Sequence, residues 1–252
     1  AFDKATASLI YGFATGLTYF TPLIGGWIAD NFLGQRRAVL LGGLIMFFGE
    51  FALFSINTHF GLYLGLFLLI IGNGFFKPNI SALVGGLYES GDKRLDSAFS
   101  IFYMGINLGA FLAPLITGFL TDNIFATHGV DAQGKEIILS YGYRYGFLVS
   151  GIGMLLGQVI FNLLGTKYLG DLGTKPVGAV SDTEVAKVQK SINPETGKEL
   201  DEKDEKQRIS VIFILLIFAV FFWAGFEQAG SSLSLYTDKY IDRSIGSFEI
   251  PT

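Results

Sequence analysis

The sequence predicts an all-α, polytopic membrane protein, and three observations lead there. Half of the 252 residues are apolar, with 33 glycines, 25 phenylalanines and a mean hydropathy of +0.48, which is oilier than an ordinary soluble domain. Six stretches are long and apolar enough to cross ~30 Å of hydrocarbon, which takes roughly 20 residues of helix. These stretches are apolar on all sides, whereas a membrane-spanning strand would alternate apolar and polar side chains over about 10 residues.

The six predicted spans are residues 6–29, 38–57, 61–85, 97–120, 142–165 and 209–235. Asp3 and Lys4 lead straight into the first, with no secretory signal pattern. Short polar turns at 30–37, 58–60 and 89–96 follow the first three spans, so successive helices should run antiparallel. The fourth connection, 121–141, is polar and longer. The fifth, 166–208, is hydrophilic and holds much of the chain's charge, separating five helices from one. Ala1 is not an initiator Met and Pro251-Thr252 follows no closing element, so the sequence reads as a piece of a longer chain.

Orientation follows from Lys and Arg near the helix ends. Arg36, Arg37, Lys93 and Arg94 fall on one side, with Lys167 and Arg208; Lys4, Lys135, Arg144, Lys239 and Arg243 fall on the other. The tight Arg36-Arg37 pair places the first side, and with it the 166–208 insert, in the cytoplasm. Both ends of the chain then face outward.

Composition excludes several function classes. The sequence has no cysteine, hence no disulfide framework, thiolate metal site or cysteine nucleophile. A net charge of −4 gives no nucleic-acid footprint. The two histidines, His59 and His128, fall in separate predicted loops and suggest neither a metal site nor a catalytic base. Gly72-Asn73-Gly74 is a fragment of a nucleotide-binding pattern without its third glycine or preceding strand, and in an apolar helix it reads as a close-packing device. No enzyme, cofactor or metal is expected, and transport would draw on an ion or substrate gradient.

Ionisable groups within a span cost at least a few kcal/mol and are functional candidates by default. Lys77 lies roughly 12 Å from its helix end at 1.5 Å per residue, a distance its stem can partly snorkel. Its neighbour Pro78 frees a backbone carbonyl and bends the helix, as in helices that line transporter cavities. Glu227, in Phe222-Trp223-Ala224-Gly225-Phe226-Glu227-Gln228, is read as lying well inside the last span. With Lys77 as partner, its protonation would release a salt bridge, a coupling device open to any symporter. Packing remains the competing reading for both. Glu50 faces either a neighbouring helix or the outer interface. Asn107 is placed to bond another helix or a polar ligand, and Tyr19 to present a hydroxyl to a cavity.

The turn Gly26-Trp27-Ile28-Ala29-Asp30-Asn31-Phe32-Leu33-Gly34-Gln35-Arg36-Arg37 resembles the signature loop between helices 2 and 3 of the major facilitator superfamily. Gly74-Phe75-Phe76-Lys77-Pro78-Asn79-Ile80-Ser81 and Phe99-Ser100-Ile101-Phe102-Tyr103-Met104-Gly105-Ile106-Asn107-Leu108-Gly109-Ala110 look like the two signatures of the proton-dependent oligopeptide transporter (POT) family in helices 4 and 5. The resemblance covers essentially the whole chain, as family helices 2 to 7. It implies an N-terminal bundle lacking helix 1 over residues 1–165, a cytoplasmic inter-bundle loop over 166–208, the first C-terminal-bundle helix over 209–236 and an outer loop over 237–252.

The resemblance further implies proton-coupled symport of di- and tripeptides by alternating access, in a bacterial inner membrane. Lys77 would serve coupling and the peptide carboxylate, Asn107 the peptide backbone, Tyr19 the binding site, and Glu227 proton movement and gating. Gly26, Asp30, Gly34, Arg36 and Arg37 would form a conformational latch, in which Asp30 can pair with an arginine or a helix N-terminus. The implied partners are peptide, protons, lipid bilayer and the remaining helices of the parent chain. The family's helix 1 Glu-x-x-Glu-Arg motif lies outside this sequence, so proton coupling rests on the parent chain retaining it. Two alternatives stay open: a same-fold transporter of another small substrate such as nitrate or an amino-acid conjugate, and a non-transporting membrane sensor or scaffold using the insert for docking.

Overall fold

A computed structural model describes residues 2–89, 91–134, 136–177, 202–230, 232–245 and 248–249. Its helices are α1 (Lys4–Ile28), α2 (Gln35–Ser55), α3 (His59–Gly86), α4 (Leu95–Phe119), α5 (Tyr143–Leu169), α6 (Glu202–Phe226) and α7 (Ser232–Tyr240). Among the described residues six helical segments are long and apolar enough to cross a membrane: Lys4–Leu33, Gln35–Ser55, His59–Gly86, Leu95–Ile124, Tyr143–Leu169 and Lys206–Gly230. Each overlaps one predicted span. The chain divides into two units, the first holding α1 to α5 and the second α6 and α7.

In the first unit α2 lies at the centre, packed on α3 and α5, while α1 packs on the other side of α3. Lipid tails are as apolar as leucine side chains, so such helices gain little by hiding apolar surface from one another and associate through close backbone approach and interhelical hydrogen bonds. The buried set reflects this. The largest fully buried side chains are Val39 and Asn79, and much of the α2–α3 seam is glycine. A Cβ on Gly42 would stand 2.6 Å from the Gly72 carbonyl oxygen. Large apolar residues such as Phe13, Phe111, Leu163 and Phe221 are exposed, at a density that water would not tolerate.

Hydrogen bonds from Ser150 and Gln158 help to join α5 to α2. Ser150 Oγ donates to Glu50 Oε1 at 3.0 Å, and Gln158 Nε2 donates to the Val39 carbonyl at 3.3 Å. Of the two orientations open to Glu50, the structure thus gives the one toward a neighbouring helix.

Four short strands lie outside the spans, where a purely helical reading expected only loop. β1 (Thr127–Val130) and β2 (Glu136–Ser140) form an antiparallel hairpin, and β3 (Ser244–Ile245) pairs with β4 (Phe248–Glu249). The hairpin has a local cause. Asp131 Oδ1 accepts from the Gln133 N–H at 2.9 Å, and Gly134 takes a φ of 80° that closes the turn. The described residues remain overwhelmingly helical.

The last span also differs from expectation. The α-helix ends at Phe226 and a tighter 3₁₀ turn, Glu227–Gly230, follows before α7. Glu227 therefore sits at a break in the helix rather than within a continuous one. Gly225 precedes that break and Gly230 ends the 3₁₀ turn, consistent with the low helix propensity of glycine.

Candidate functional site

The site is built where α1 and α3 cross, each interrupted by a proline. Proline supplies no N–H to the carbonyl four residues back, so Pro22 leaves the Thr18 carbonyl without its helical partner and Pro78 does the same to Gly74. Both orphans are answered from the opposite helix. Asn73 Nδ2 on α3 donates to the Thr18 carbonyl at 3.0 Å. The Gly74 carbonyl meets Gly25 of α1, where any Cβ would collide with it, so α1 approaches closely enough for a Cα–H contact. Thr21 Oγ1 adds a bond to the Ile70 carbonyl at 2.9 Å.

This crossing fixes two of the predicted site residues. Tyr19 adjoins the orphaned Thr18 carbonyl, and Lys77 adjoins Pro78. Lys77 Nζ lies over the Tyr19 ring, 4.5 Å from its centroid. A cation over an exposed ring gains about 0.5–1 kcal/mol. That is enough to orient a lysine without trapping it against a competing carboxylate. Lys77 is exposed and lies roughly 13 Å from the α3 end at Gly86, at 1.5 Å per residue. Just beyond it, Asn79 Nδ2 donates to the Phe75 carbonyl at 2.8 Å and is itself buried, fixing the α3 backbone behind the lysine.

Asn107 stands exposed midway along α4, a helix with no buried residues. Glu227 opens the 3₁₀ turn of the second unit and is half-buried. The structure brings Tyr19 and Lys77 together; Asn107 and Glu227 occupy elements of their own.

The predicted latch residues line the turn between α1 and α2. Gly26 faces Pro78, with ordinary contact distance left for a Cβ at 3.7 Å. Gly34 adopts φ 77° and its N–H bonds the Ala29 carbonyl at 2.8 Å, closing a wide π turn over Ala29–Leu33. A side chain at this φ would be strained, and it would also meet the Gly173 carbonyl. Arg36 reaches across to the end of α5: Nη1 donates to the Gly170 carbonyl at 2.7 Å and Nη2 to Thr166 Oγ1 at 3.3 Å, while its backbone N–H bonds the Gly173 carbonyl at 2.9 Å. A guanidinium at the C-terminal carbonyls complements the negative end of the helix dipole. Asp30 is exposed in the turn and, among the described residues, pairs with no arginine. The π turn presents it outward while Arg36 is drawn to α5. Arg37 is exposed.

Sequence reasoning missed Asn73 and the Arg36 clasp. Asn73 was visible as a polar residue one helical turn before Lys77 and on its face, but its partner lies 55 residues away. The partners of Arg36 are 130 and 134 residues away, beyond any local pattern.

Known proteins share this sequence pattern and this fold. The family model described as "POT family" matches residues 36–176 and 174–252. The chain is similar to the uncharacterized transporter YclF of Bacillus subtilis (34% identity; 99% of this chain, 55% of that protein). It is similar also to the peptide transporter YePEPT of Yersinia enterocolitica (32% identity; 99% of this chain, 55% of that protein). A crystal structure of a mutant POT peptide transporter in complex with alafosfalin matches at a TM-score of 0.72 with 30% identity, over 96% of this chain and 53% of that one. The chain thus spans about half the length of these relatives.

Proposed function

The chain belongs to the POT family, and from that premise we propose that the protein containing it imports di- and tripeptides together with protons by alternating access of two helical bundles. The family is one of integral membrane transporters rather than enzymes, and the six apolar helices make this a multi-pass membrane protein. The observation that best supports the reading is the Lys77–Tyr19 pair at the crossing of two proline-broken helices. A lysine held over a ring, with no carboxylate partner among the described residues, is available to a peptide carboxylate, which would gain a charge-assisted hydrogen bond while Tyr19 keeps contact with substrate. The peptide-transporter name of YePEPT points to the same substrate class.

In the proposed cycle Asn107 reads the peptide backbone, and Glu227, at the helix break, carries the proton that gates release. The turn holding Gly26, Asp30, Gly34, Arg36 and Arg37 serves as the latch of one conformational state, with Arg36 clasping the end of α5. The experiment is uptake of labelled dialanine by the full-length protein in proteoliposomes, comparing wild type with K77Q and E227Q. The proposal expects gradient-driven uptake to fall to background in both variants while the proteins remain folded. Undiminished uptake in both would remove these residues from the mechanism. Wild-type protein that binds and moves no dialanine but moves another small anion would shift the substrate class.

A further inference from the structure

At the opposite end of α3 from Gly86, an open cavity of about 590 Å³ lies among the start of α3, the start of α5, the end of α2 and Phe2, two residues ahead of α1. Its apolar wall is Phe2, Leu53, Leu62 and Phe147, and its polar rim includes His59 and Arg144. Among the described residues no carboxylate lines it. The Arg144 guanidinium lies 5.1 Å from the centroid of the Phe54 ring and 5.7 Å from that of Tyr145, held at the rim by ring faces. Among the described residues it has no carboxylate partner. His59 is held by Phe2, with ring centroids 4.5 Å apart. The stacked Tyr141–Tyr143 pair, at 5.1 Å, lies beside this rim. Tyrosines of this kind gather at the headgroup level of a bilayer.

We infer that this cavity binds one anionic diacyl phospholipid such as phosphatidylglycerol, its phosphate on Arg144 and His59 and the upper part of an acyl chain along Phe2, Leu53, Leu62 and Phe147. Charge complementarity decides the occupant. Arginine matches a phosphate bidentately, and the rim offers no carboxylate to a choline or an ethanolamine. The wall is apolar where an acyl chain would pass and the donors stand where the helices end, so headgroup and chain are both met at the right depth. Both leaflets carry headgroups at helix ends, so the inference does not depend on orientation and is independent of the transported substrate.

The test uses the purified full-length protein, delipidated and titrated with dioctanoyl phosphatidylglycerol, dioctanoyl phosphatidylcholine or inorganic phosphate, with bound adducts counted by native mass spectrometry. Wild type should retain one phosphatidylglycerol in preference to phosphatidylcholine, and millimolar phosphate should not displace it. R144Q should weaken that adduct about tenfold, the loss of one charged hydrogen bond. R144K, which keeps the charge, should weaken it less. R94Q, whose parent arginine is engaged by Asp92 in another turn, should leave it unchanged. Equal retention of phosphatidylcholine by wild type would overturn the inference, and so would displacement by phosphate, which would mark a simple anion site. Unaltered binding in R144Q would also overturn it. The wild-type competition decides the matter even if R144Q fails to fold.

Discussion

Replacing Asn73 with alanine should destabilise the helix crossing only because Pro22 is present. In the native chain the Asn73 amide supplies the hydrogen bond, 3.0 Å long, that Pro22 denies to the Thr18 carbonyl. Without it a carbonyl is left unpaired in a low-dielectric setting, at a cost of about 1–3 kcal/mol. Hydrogen bonds between membrane helices average less than that, nearer ~0.6 kcal/mol, because the unfolded reference state finds other partners. About 1–2 kcal/mol is therefore expected for N73A. P22A restores the N–H four residues after Thr18, so the carbonyl regains an intrahelical bond and Asn73 becomes dispensable. The assay is a double-mutant cycle on the full-length protein, unfolded reversibly in mixed micelles and followed by circular dichroism. A coupling energy of about 1 kcal/mol between positions 22 and 73 is expected, against the few tenths typical of independent sites. An N73A cost that is the same in the wild-type and P22A backgrounds would refute the reasoning.

Four further outcomes follow from the geometry. G25V drives side-chain atoms into the Gly74 carbonyl and should cost about 1–3 kcal/mol or separate α1 from α3, seen as a lowered melting temperature; G12V, with open space around it, should cost far less. Y19F keeps the ring beneath Lys77 and should preserve much of the peptide affinity, whereas Y19A should lower it about three- to fivefold, the value of an exposed cation–π contact, measured by tryptophan fluorescence titration. R36Q removes the donor to the Gly170 carbonyl, and amide exchange at Leu172 and Thr174 should quicken about tenfold if that bond holds the segment. In the α3–α4 turn, the hydrogen bonds of Arg94 hold the Asp92 carboxyl below its ordinary range. Its contribution to stability is therefore present above the unfolded carboxylate pKa and is lost as pH falls through the lower folded value. R94Q should move the carbon-13 titration of Asp92 upward while leaving neutral-pH stability almost unchanged, because the Arg94 side chain is solvent-exposed.

The spans and the signature residues were legible because each is a local property. Length and hydropathy mark a helix that can cross a bilayer, and the Lys77-Pro78 pair announces its own bend. Interhelical pairing was not legible. The link from Asn73 to Thr18 and those from Arg36 to the end of α5 depend on which helices become neighbours, information held in the packing of glycine faces rather than in any short pattern. Glu50 shows the same limit: its place in a span was plain, but only the fold presents Ser150 to it. The 3₁₀ break at Glu227 was hidden because Phe222-Trp223-Ala224-Gly225-Phe226 reads as uninterrupted helix by hydropathy, and apolarity does not record where the backbone changes pitch. The β1–β2 hairpin was missed for the opposite reason: a turn centred on Asp131 and Gly134 was present, but it stood inside a connection judged only by its polarity.

The most direct test of the account is uptake of labelled dialanine by the full-length protein in proteoliposomes, with and without an inward proton gradient. The gradient should stimulate uptake, and unlabelled dipeptide should compete for it. Folded protein that neither binds dialanine nor accumulates it under the gradient would contradict the account.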